Sequence, residues 1–323
     1  MKHPGDARVT VGLVTWNSER YLPSCLQSLA NQTHRDLELI VVDNGSEDRS
    51  VDLVRAQAPE ARIFQNPRNQ GYCRAHNLAI GASAGDYYLA LNPDVRLDPE
   101  YIKRLILSLE GRPAFGSAVG KMWQAGQAGP KVLDGTGLFI DRRRHQYLRG
   151  RGEIDQGQYD ESEEVFGADG AAPLYRRKTL DDVKIFGQVF DEAFFAYQED
   201  VDLAWRVRLF GWKCWYEPRA TAVHDRGFRP GVRQDMPREI RRIAVRNRYL
   251  MILKNESWRT FLRDWWRILF YDMQILAYVL VLERSSLGAY PSLFANWGLV
   301  MRWRREVQRS ARVRPAHRWK WFG

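Results

Sequence analysis

The sequence predicts an α/β fold with a mostly parallel, doubly wound central sheet, helices on both of its faces and a helical C-terminal appendage. Strand-length apolar runs alternate with helical patterns through the first third of the chain, and such alternation is typical of parallel sheets. Each of these runs ends in a polar turn. From Trp258 onward the pattern changes to long helices that are rich in Trp and Arg.

The apolar spacing places four strands and four helices in the first 110 residues. The strands are predicted over residues 8–15, 37–42, 61–64 and 87–91. The helices are predicted over residues 18–29, with Ser18 as the cap, and over residues 47–58, 71–84 and 99–110. Further on we expect a hairpin and loop mobile over a site (125–164), a helix (199–210) and a strand (212–223). This division predicts an α/β domain of residues 1–230 and a C-terminal helical region of residues 231–323.

Composition excludes several classes of protein. With 323 residues and 45% hydrophobic residues, the chain is neither disordered nor a small disulfide scaffold. Its three cysteines are far apart and form no CxxC pair, which argues against a structural zinc site or a disulfide framework and favours a reducing, cytosolic setting. The net charge of +10 favours anionic partners, namely nucleic acid, nucleotides or acidic lipid.

The C-terminal region carries most of this charge. From Trp258 onward there are 12 Lys and Arg against four Asp and Glu, and seven of the 12 tryptophans lie there. This composition is typical of helices that lie in a membrane interface, although packing on the domain or on a second subunit stays open. The longest apolar run, residues 268–282, contains Asp272 and is too short to span a bilayer. The first residues, with Pro4, Gly5 and Asp6, do not have the pattern of a signal peptide.

Three polar clusters fall at predicted strand ends. They are Thr15-Trp16-Asn17, Asp43-Asn44-Gly45-Ser46 and Asn92-Pro93-Asp94. Ligands of doubly wound sheets bind outside the carboxyl ends of the strands, so we expect these clusters to converge. Taken alone, each cluster is more simply explained as a turn or a helix cap.

Two further positions carry candidate chemistry. Glu199, Asp200 and Asp202 open a predicted helix directly after an aromatic segment, where a carboxylate can act as a general base. Their simpler role is to favour the helix dipole, with Asp202 paired to Arg206. His224 follows the last predicted strand and becomes a metal ligand only if Asp94 lies nearby.

Five motifs follow one another over residues 8–230. They are Val11 to Asn17 (VGLVTWN), Val42 to Ser46 (VDNGS), Asn69 to Asn77 (NQGYCRAHN), Leu91 to Val95 (LNPDV) and Glu199 to Arg206 (EDVDLAWR). In this order the series resembles that of inverting family 2 glycosyltransferases with the GT-A fold, closest to their bacterial rhamnosyltransferase-like branch. The stretch from Arg246 to Asn255 is similar to one that follows the catalytic domain in that branch.

The resemblance implies a Rossmann-like GT-A domain, a divalent metal (Mg²⁺ or Mn²⁺) and a nucleotide-sugar donor, with dTDP as the expected nucleotide. The donor-binding set implied by the motifs is Thr15, Trp16, Asn17, Asp43, Asn44, Gly71, Arg74, Asn77, Asn92 and Asp94. Asp94 and His224 would hold the metal, with Asn92 replacing the first acid of the DxD-type motif. Asp200 would be the catalytic base, with Glu199 as its rival. Asp169 and Gly170 would line the acceptor side.

The function that this resemblance implies is metal-dependent, inverting transfer of L-rhamnose to a lipid-linked or cell-surface polysaccharide acceptor, in cell wall biogenesis. The expected location is peripheral, on the cytoplasmic side of the bacterial inner membrane, with no nucleic acid partner. A non-catalytic nucleotide-sugar-binding scaffold and a basic nucleic-acid-binding protein remain alternatives. The second is disfavoured because the charge lies among apolar, Trp-rich helices and the sequence has no zinc finger or RNP-like motif.

Overall fold

The structure is a computed structural model that describes residues 7–126, 129–226, 233 and 236–323. Its strands are, in chain order, β1 (Val9–Thr15), β2 (Leu37–Asp43), β3 (Arg62–Gln65), β4 (Tyr87–Leu91), β5 (Val95–Leu97), β6 (Phe115–Gln124), β7 (Leu133–Gly135), β8 (Leu138–Ile140), β9 (Gln146–Leu148), β10 (Glu163–Val165), β11 (Leu174–Arg176) and β12 (Lys213–His224). The α-helices are α1 (Leu22–Ala30), α2 (Ser50–Gln57), α3 (Tyr72–Ala82), α4 (Tyr101–Leu109), α5 (Arg177–Asp182), α6 (Glu199–Leu209), α7 (Arg238–Asn255), α8 (Trp258–Val281), α9 (Ala289–Ala295), α10 (Trp297–Ser310) and α11 (Pro315–Arg318).

Ten of the strands form one sheet in the order β10-β12-β6-β11-β4-β1-β2-β3, with β5 beside β12 and β7 beside β6. The neighbours β4, β1, β2 and β3 run parallel, as do β6 and β12. The short β11 is antiparallel to both β4 and β6 and joins these two parallel blocks. The hairpin β8–β9 is separate from this sheet.

The central strands are buried on both faces. In β2, Ile40 and Val42 pack into one apolar cluster, while Val41 between them packs into the other. Successive side chains of a strand point to opposite faces, so both sides of the sheet must be covered. Helices α1 and α4 cover one side, and α3, α6 and α7 cover the other. The predicted fold class, including the C-terminal helical region, is confirmed.

The predicted strands and helices are present, but two local predictions are wrong. Ser18 does not cap α1 with its side chain: the helix begins at Leu22, and the Ser18 hydroxyl bonds the backbone of Trp16 instead. The second predicted helix begins at Ser50, three residues after Glu47. Sequence analysis also missed β5, β6 and β11.

Helix α7 is anchored in the catalytic domain by a buried ion cluster. The Lys254 ammonium lies 2.7 Å from Asp191 and 3.0 Å from Asp202. Asn255 donates to Asp202 at 2.7 Å, a shorter contact than the predicted pair of Asp202 with Arg206 at 3.5 Å. The predicted domain boundary at residues 230 and 231 lies outside the described residues. Beyond this boundary, Lys254 of α7 forms buried ion pairs with Asp191 and with Asp202 of the acidic motif.

Replacing Lys254 by Met should cost about 3–5 kcal/mol of unfolding free energy, because two buried carboxylates lose their shared cation. Urea unfolding measures this. The control is Lys184→Met, which breaks a half-exposed pair with Asp181 at 2.6 Å and should cost at most about 1 kcal/mol. Equal losses in the two variants would contradict a buried anchor.

Candidate active site

The first two strand-end clusters meet, as the sheet topology requires. β1 and β2 are paired in register up to Thr15 and Asp43, and the Thr15 hydroxyl donates to the Asp43 carboxylate at 3.0 Å. Asn17 donates from its backbone to the Ser46 hydroxyl at 2.9 Å. Trp16, between them, is 56% exposed. These residues form an open ledge on which the Trp16 indole is available for stacking. The Asp43 carboxylate already accepts hydrogen bonds from Thr15 and Ser46.

Gly71 connects this ledge to the segment before the acidic motif. Its φ is +86°, and a Cβ there would lie 2.6 Å from the carbonyl oxygen of Phe195, so only glycine fits. The Asn44 amide donates to the Gly71 carbonyl at 3.3 Å. Cys73 donates its backbone N–H to the same Phe195 carbonyl at 3.2 Å. The NQG motif is therefore a structural bridge between two parts of the predicted site.

Arg74 and Asn77 are the two residues of the predicted donor set that lie within α3. The Asn77 amide oxygen accepts from the backbone of Val189 and Phe190, and its nitrogen donates to Phe190 and Glu192. Its hydrogen-bonding capacity is spent on that loop, so its observed role is structural. Arg74 is exposed on the first turn of α3 and faces solvent.

A pocket of ≈ 850 Å³ brings the third cluster and the acidic motif together. Asn92, Asp94, Glu199, Asp200 and His224 all line it. The hairpin β8–β9 and the segment after it form another wall, so the predicted loop over the site does border it. Thr15, Trp16 and Asp43 do not line this pocket in the described part of the chain; they lie at the adjoining strand ends.

Asp94, His224 and Asp134 form a row at one side of the pocket. Nε2 of His224 lies 3.2 Å from the Asp94 carboxylate, and Nδ1 lies 2.9 Å from Asp134, which is fully buried. Burial lowers the pKa of His224, but the hydrogen bond to Asp134 and the nearby Asp94 carboxylate raise it to about 9. Burial also raises the pKa of Asp134, but His224 and Arg226 hold it well below its usual range.

This row fits a divalent cation. Oδ1 of Asp94 is buried, and among the described residues it makes an ion-pair contact with Nε2 of His224 at 3.2 Å but has no hydrogen bond of good geometry. The protonated His224 imidazole lies next to the Asp94 carboxylate, where a bound cation would lie. Asp134 contacts the other ring nitrogen and orients the ring, as carboxylates do for metal-binding histidines. No group of three or more His, Cys, Asp or Glu side chains in the described ranges is arranged to hold a metal. Asp94 and His224 would therefore need oxygen atoms of the substrate as further ligands, which is usual for Mg²⁺ beside phosphates.

The acidic motif follows a strained turn. Phe195, Tyr197 and Gln198 have φ of 65°, 68° and 64°, and each such conformation costs about 1–3 kcal/mol unless its surroundings hold it. Asn247 of α7 is fully buried, and its Nδ2 lies 2.7 to 3.0 Å from three carbonyl oxygens of residues 194–197. The C-terminal helix therefore fixes the turn that positions the two candidate bases.

Asp200 and Glu199 differ in environment. Asp200 is partly exposed to the pocket, and its carboxylate accepts from the backbone N–H of Gly170 at 3.0 Å and of Val201 at 2.8 Å. Burial raises its pKa above the usual range, although these donors and Arg226 oppose the shift. Glu199 is buried, one of its oxygens has no partner among the described residues, and burial with the Asp200 charge raises its pKa to about 8. Asp200 is the more exposed of the two carboxyl groups that line the pocket and is therefore the better placed candidate base.

Replacing Glu199 by Gln should stabilise the protein at high pH. The folded protein keeps the Glu199 proton up to about pH 8, whereas the unfolded chain releases it near pH 4.5. The folded state thus binds more protons in this interval, and the unfolding free energy falls as pH rises from 4.5 to 8. Melting curves should show a Tm advantage for the variant that is absent near pH 4 and grows toward pH 8. A constant difference would contradict the buried, protonated state.

The sequence did not predict Arg151 and Arg226, which line the pocket, or the buried Asp134 behind His224. Arg226 donates to Asp134 at 2.7 Å, and Arg151 lines the same pocket. Burial and the charge of Arg226 lower the pKa of Arg151, so these two cations favour an anion between them. Asp134 lies in a glycine-rich stretch that reads locally as a turn, so its pairing with His224 leaves no local signal. Asp169 is buried beside Asp200, and burial with that charge raises its pKa to about 6.

Comparisons with known proteins agree with this geometry. The sequence model of glycosyl transferase family 2 matches residues 10–183. N-acetylglucosaminyl-diphospho-decaprenol L-rhamnosyltransferase of Mycobacterium tuberculosis is 29% identical over 249 residues, which is 68% of this chain and 76% of that protein.

Solved structures show the same fold. S. aureus TarS 1-349 in complex with UDP-GlcNAc superposes with a TM-score of 0.60 at 17% identity, over 94% of this chain and 91% of that one. GalNAc-T7 with UDP, GalNAc and Mn²⁺ gives 0.60 at 13% identity, over 77% of this chain but only 48% of that one. These neighbours confirm the GT-A fold. With a family model that covers more than half of its length, the chain is a glycosyltransferase and belongs to glycosyl transferase family 2.

Proposed function

We propose that the protein is an inverting, metal-dependent glycosyltransferase that takes a sugar from a nucleotide-diphosphate donor. The observation that carries this proposal is that Asp94, His224 and Asp200 all line one and the same pocket. Transfer from such a donor needs a stabilised diphosphate leaving group and an activated acceptor hydroxyl. Asp94 and His224 would serve the first requirement, and Asp200 would serve the second.

On the donor side, Trp16 would stack the base at the exposed ledge, with Thr15, Asn17, Asp43 and Asn44 shaping that ledge. Gly71, Arg74 and Asn92 complete the proposed donor region, and Asn77 would support it indirectly by holding the loop at Val189 and Phe190. Asp94 and His224 would hold a divalent cation, which when bound would neutralise charge on the leaving diphosphate. Arg151 and Arg226 add two cations on the same pocket wall.

On the acceptor side, Asp200 would take the proton from the attacking hydroxyl. The new bond forms to the anomeric carbon as the bond to the nucleoside diphosphate breaks, in one displacement with inversion. A double displacement would need a second carboxylate as nucleophile. Glu199, protonated at neutral pH, is not suited to that task. Asp169 and Gly170 would border the acceptor.

The donor we propose is dTDP-L-rhamnose, and the acceptor is a lipid-linked or cell-surface polysaccharide intermediate, with a role in cell wall biogenesis. The mycobacterial relative, named for L-rhamnosyl transfer to a decaprenol-linked sugar, supports this choice. We further propose that the enzyme acts peripherally at the cytoplasmic side of the inner membrane. None of the described helices is long and apolar enough to cross a bilayer.

Thermal stabilisation tests the proposed donor, because a ligand that binds only the folded state raises the melting temperature. We expect dTDP-rhamnose with Mn²⁺ to raise Tm more than UDP- or GDP-sugars do. Transfer is then measured with the stabilising donor and a lipid-linked N-acetylglucosamine. No stabilisation by any nucleotide sugar would overturn the proposal, and binding without turnover would indicate a scaffold.

Asp134 is a positioning residue in this scheme. Asp134→Asn should lower the Mn²⁺ affinity about 10- to 100-fold, since it weakens the hold on the His224 ring without removing a ligand. The control is Asp160→Asn on the same segment, which affects only the pair with Lys121. Titration of Mn²⁺ in the presence of nucleoside diphosphate measures both variants. Equal affinities would show that Asp134 does not orient the ligand.

A further inference from the structure

Helix α8 (Trp258–Val281) has its polar side turned toward the protein. Asp264 lies 2.6 Å from Arg142 and 3.1 Å from the buried Arg144, and Asp272 lies 2.8 Å from Arg248. Surface helices of globular proteins have the opposite arrangement, with an apolar stripe against the core. These ion pairs hold α8 in place together with the buried Ile268 and Val279, and most of its other apolar residues are left for other contacts.

The outward side of α8 is apolar along its whole length. At 3.6 residues per turn its exposed apolar side chains cover about 160° of the circumference. These side chains are Trp258, Leu262, Trp265, Trp266, Leu269, Phe270, Met273, Leu276, Leu280 and Val281. We call this set the outer face of α8. Met273 at its centre is 60% exposed. An exposed apolar surface of this extent marks a contact with a membrane or a protein.

The charges at this face are all positive. Arg259 and Arg263 lie on its N-terminal part, and neither has an ion-pair partner within the described ranges. Arg263 lies 4.5 Å from the ring centre of Trp319, which brings that tryptophan and the exposed Lys320 to the same end. The acids of α8 point inward. The outer face thus combines apolar and aromatic side chains with unpaired cations.

We propose that the outer face of α8 docks on an anionic lipid bilayer, with the helix lying in the interface. Apolar area, Trp side chains and flanking arginines are the features that such interfacial helices use. A second copy of the chain is a poorer occupant, because a two-fold contact places the same patch on both sides. Arginines would then oppose arginines with no acid on the face. The inference supplies the docking surface for the membrane placement proposed above.

Vesicle flotation of the full-length protein tests this. We expect it to float with vesicles of phosphatidylcholine and phosphatidylglycerol, and much less with phosphatidylcholine alone or at high salt. The triple variant Trp266→Gln, Leu269→Gln, Met273→Gln should lower the partition coefficient at least about tenfold. The double variant Arg259→Gln, Arg263→Gln should lower it about 30-fold on anionic vesicles only.

The matched control is Leu78→Gln with Leu107→Gln, which changes comparably exposed leucines of α3 and α4. Leu107 is 46% exposed and Leu269 is 51% exposed. The control should float like the wild type. Loss of flotation in the control, or retention in the triple variant, would overturn the proposal. So would a dimer in solution that the triple variant dissociates while the wild type fails to float.

Transfer to a detergent-solubilised lipid-linked N-acetylglucosamine, with no vesicles present, is measured for the same proteins, because the outer face lies outside the pocket and should not affect it. Turnover without flotation would refute the docking proposal and leave the proposed function standing. Flotation without turnover would support docking and refute the proposed function.

Discussion

Asp200→Asn should lower transfer about 1,000-fold while donor affinity changes little. The amide keeps the shape of the side chain and can still accept from the Gly170 N–H, but it cannot take a proton from the acceptor hydroxyl. General bases contribute about 10²–10⁴-fold to enzymatic rates, so the expected effect is large. Transfer rates with saturating donor and acceptor measure it, and isothermal titration measures donor binding.

Glu199→Gln is the matched control for that experiment. Because Glu199 keeps its proton at neutral pH, an amide in its place should leave most of the transfer rate intact. A rate that survives in Asp200→Asn but is lost in Glu199→Gln would assign the base to Glu199. If both variants transfer normally, neither acid is the base.

Asp94→Ala should lower turnover at least about 100-fold and should raise the Mn²⁺ concentration that half-saturates the enzyme. The substitution removes the carboxylate whose buried oxygen has no other partner among the described residues. Turnover over a range of Mn²⁺ concentrations measures both effects. Asp36→Ala changes an exposed carboxylate at the amino end of β2, opposite the pocket, and should behave as the wild type. Unchanged metal dependence in Asp94→Ala would remove it as a ligand.

The fold was predictable where the signal is local. β1 to β4 are apolar runs that end in turn residues, and their parallel pairing follows from the helices between them. β6 was missed because Gly116, Gly120 and Lys121 interrupt its apolar pattern. It forms through pairing with β12, about a hundred residues further on. β11, only three residues long, exists as a strand because β4 and β6 lie on either side of it.

The site was predictable in part for the same reason. Strand ends that share an edge must meet, which brought Thr15 to Asp43 and placed Asp94 in the pocket. Asp94 and His224, 3.2 Å apart, were linked by the family resemblance but not by spacing. Asn247 and Lys254 were noted only as part of a similar stretch. Asn247 and Lys254 contact residues that lie about 50 or more positions earlier in the sequence. Hydrophobic periodicity cannot predict contacts at this sequence separation.

The central claim is that one pocket holds a cation-bound nucleotide beside the base. Anomalous scattering from crystals soaked with Mn²⁺ and nucleoside diphosphate locates the metal directly. We expect a peak within coordinating distance of the Asp94 carboxylate and Nε2 of His224, with the diphosphate next to it and Asp200 across the pocket. A nucleotide bound without metal at this position, or a metal bound away from both side chains, would contradict the account.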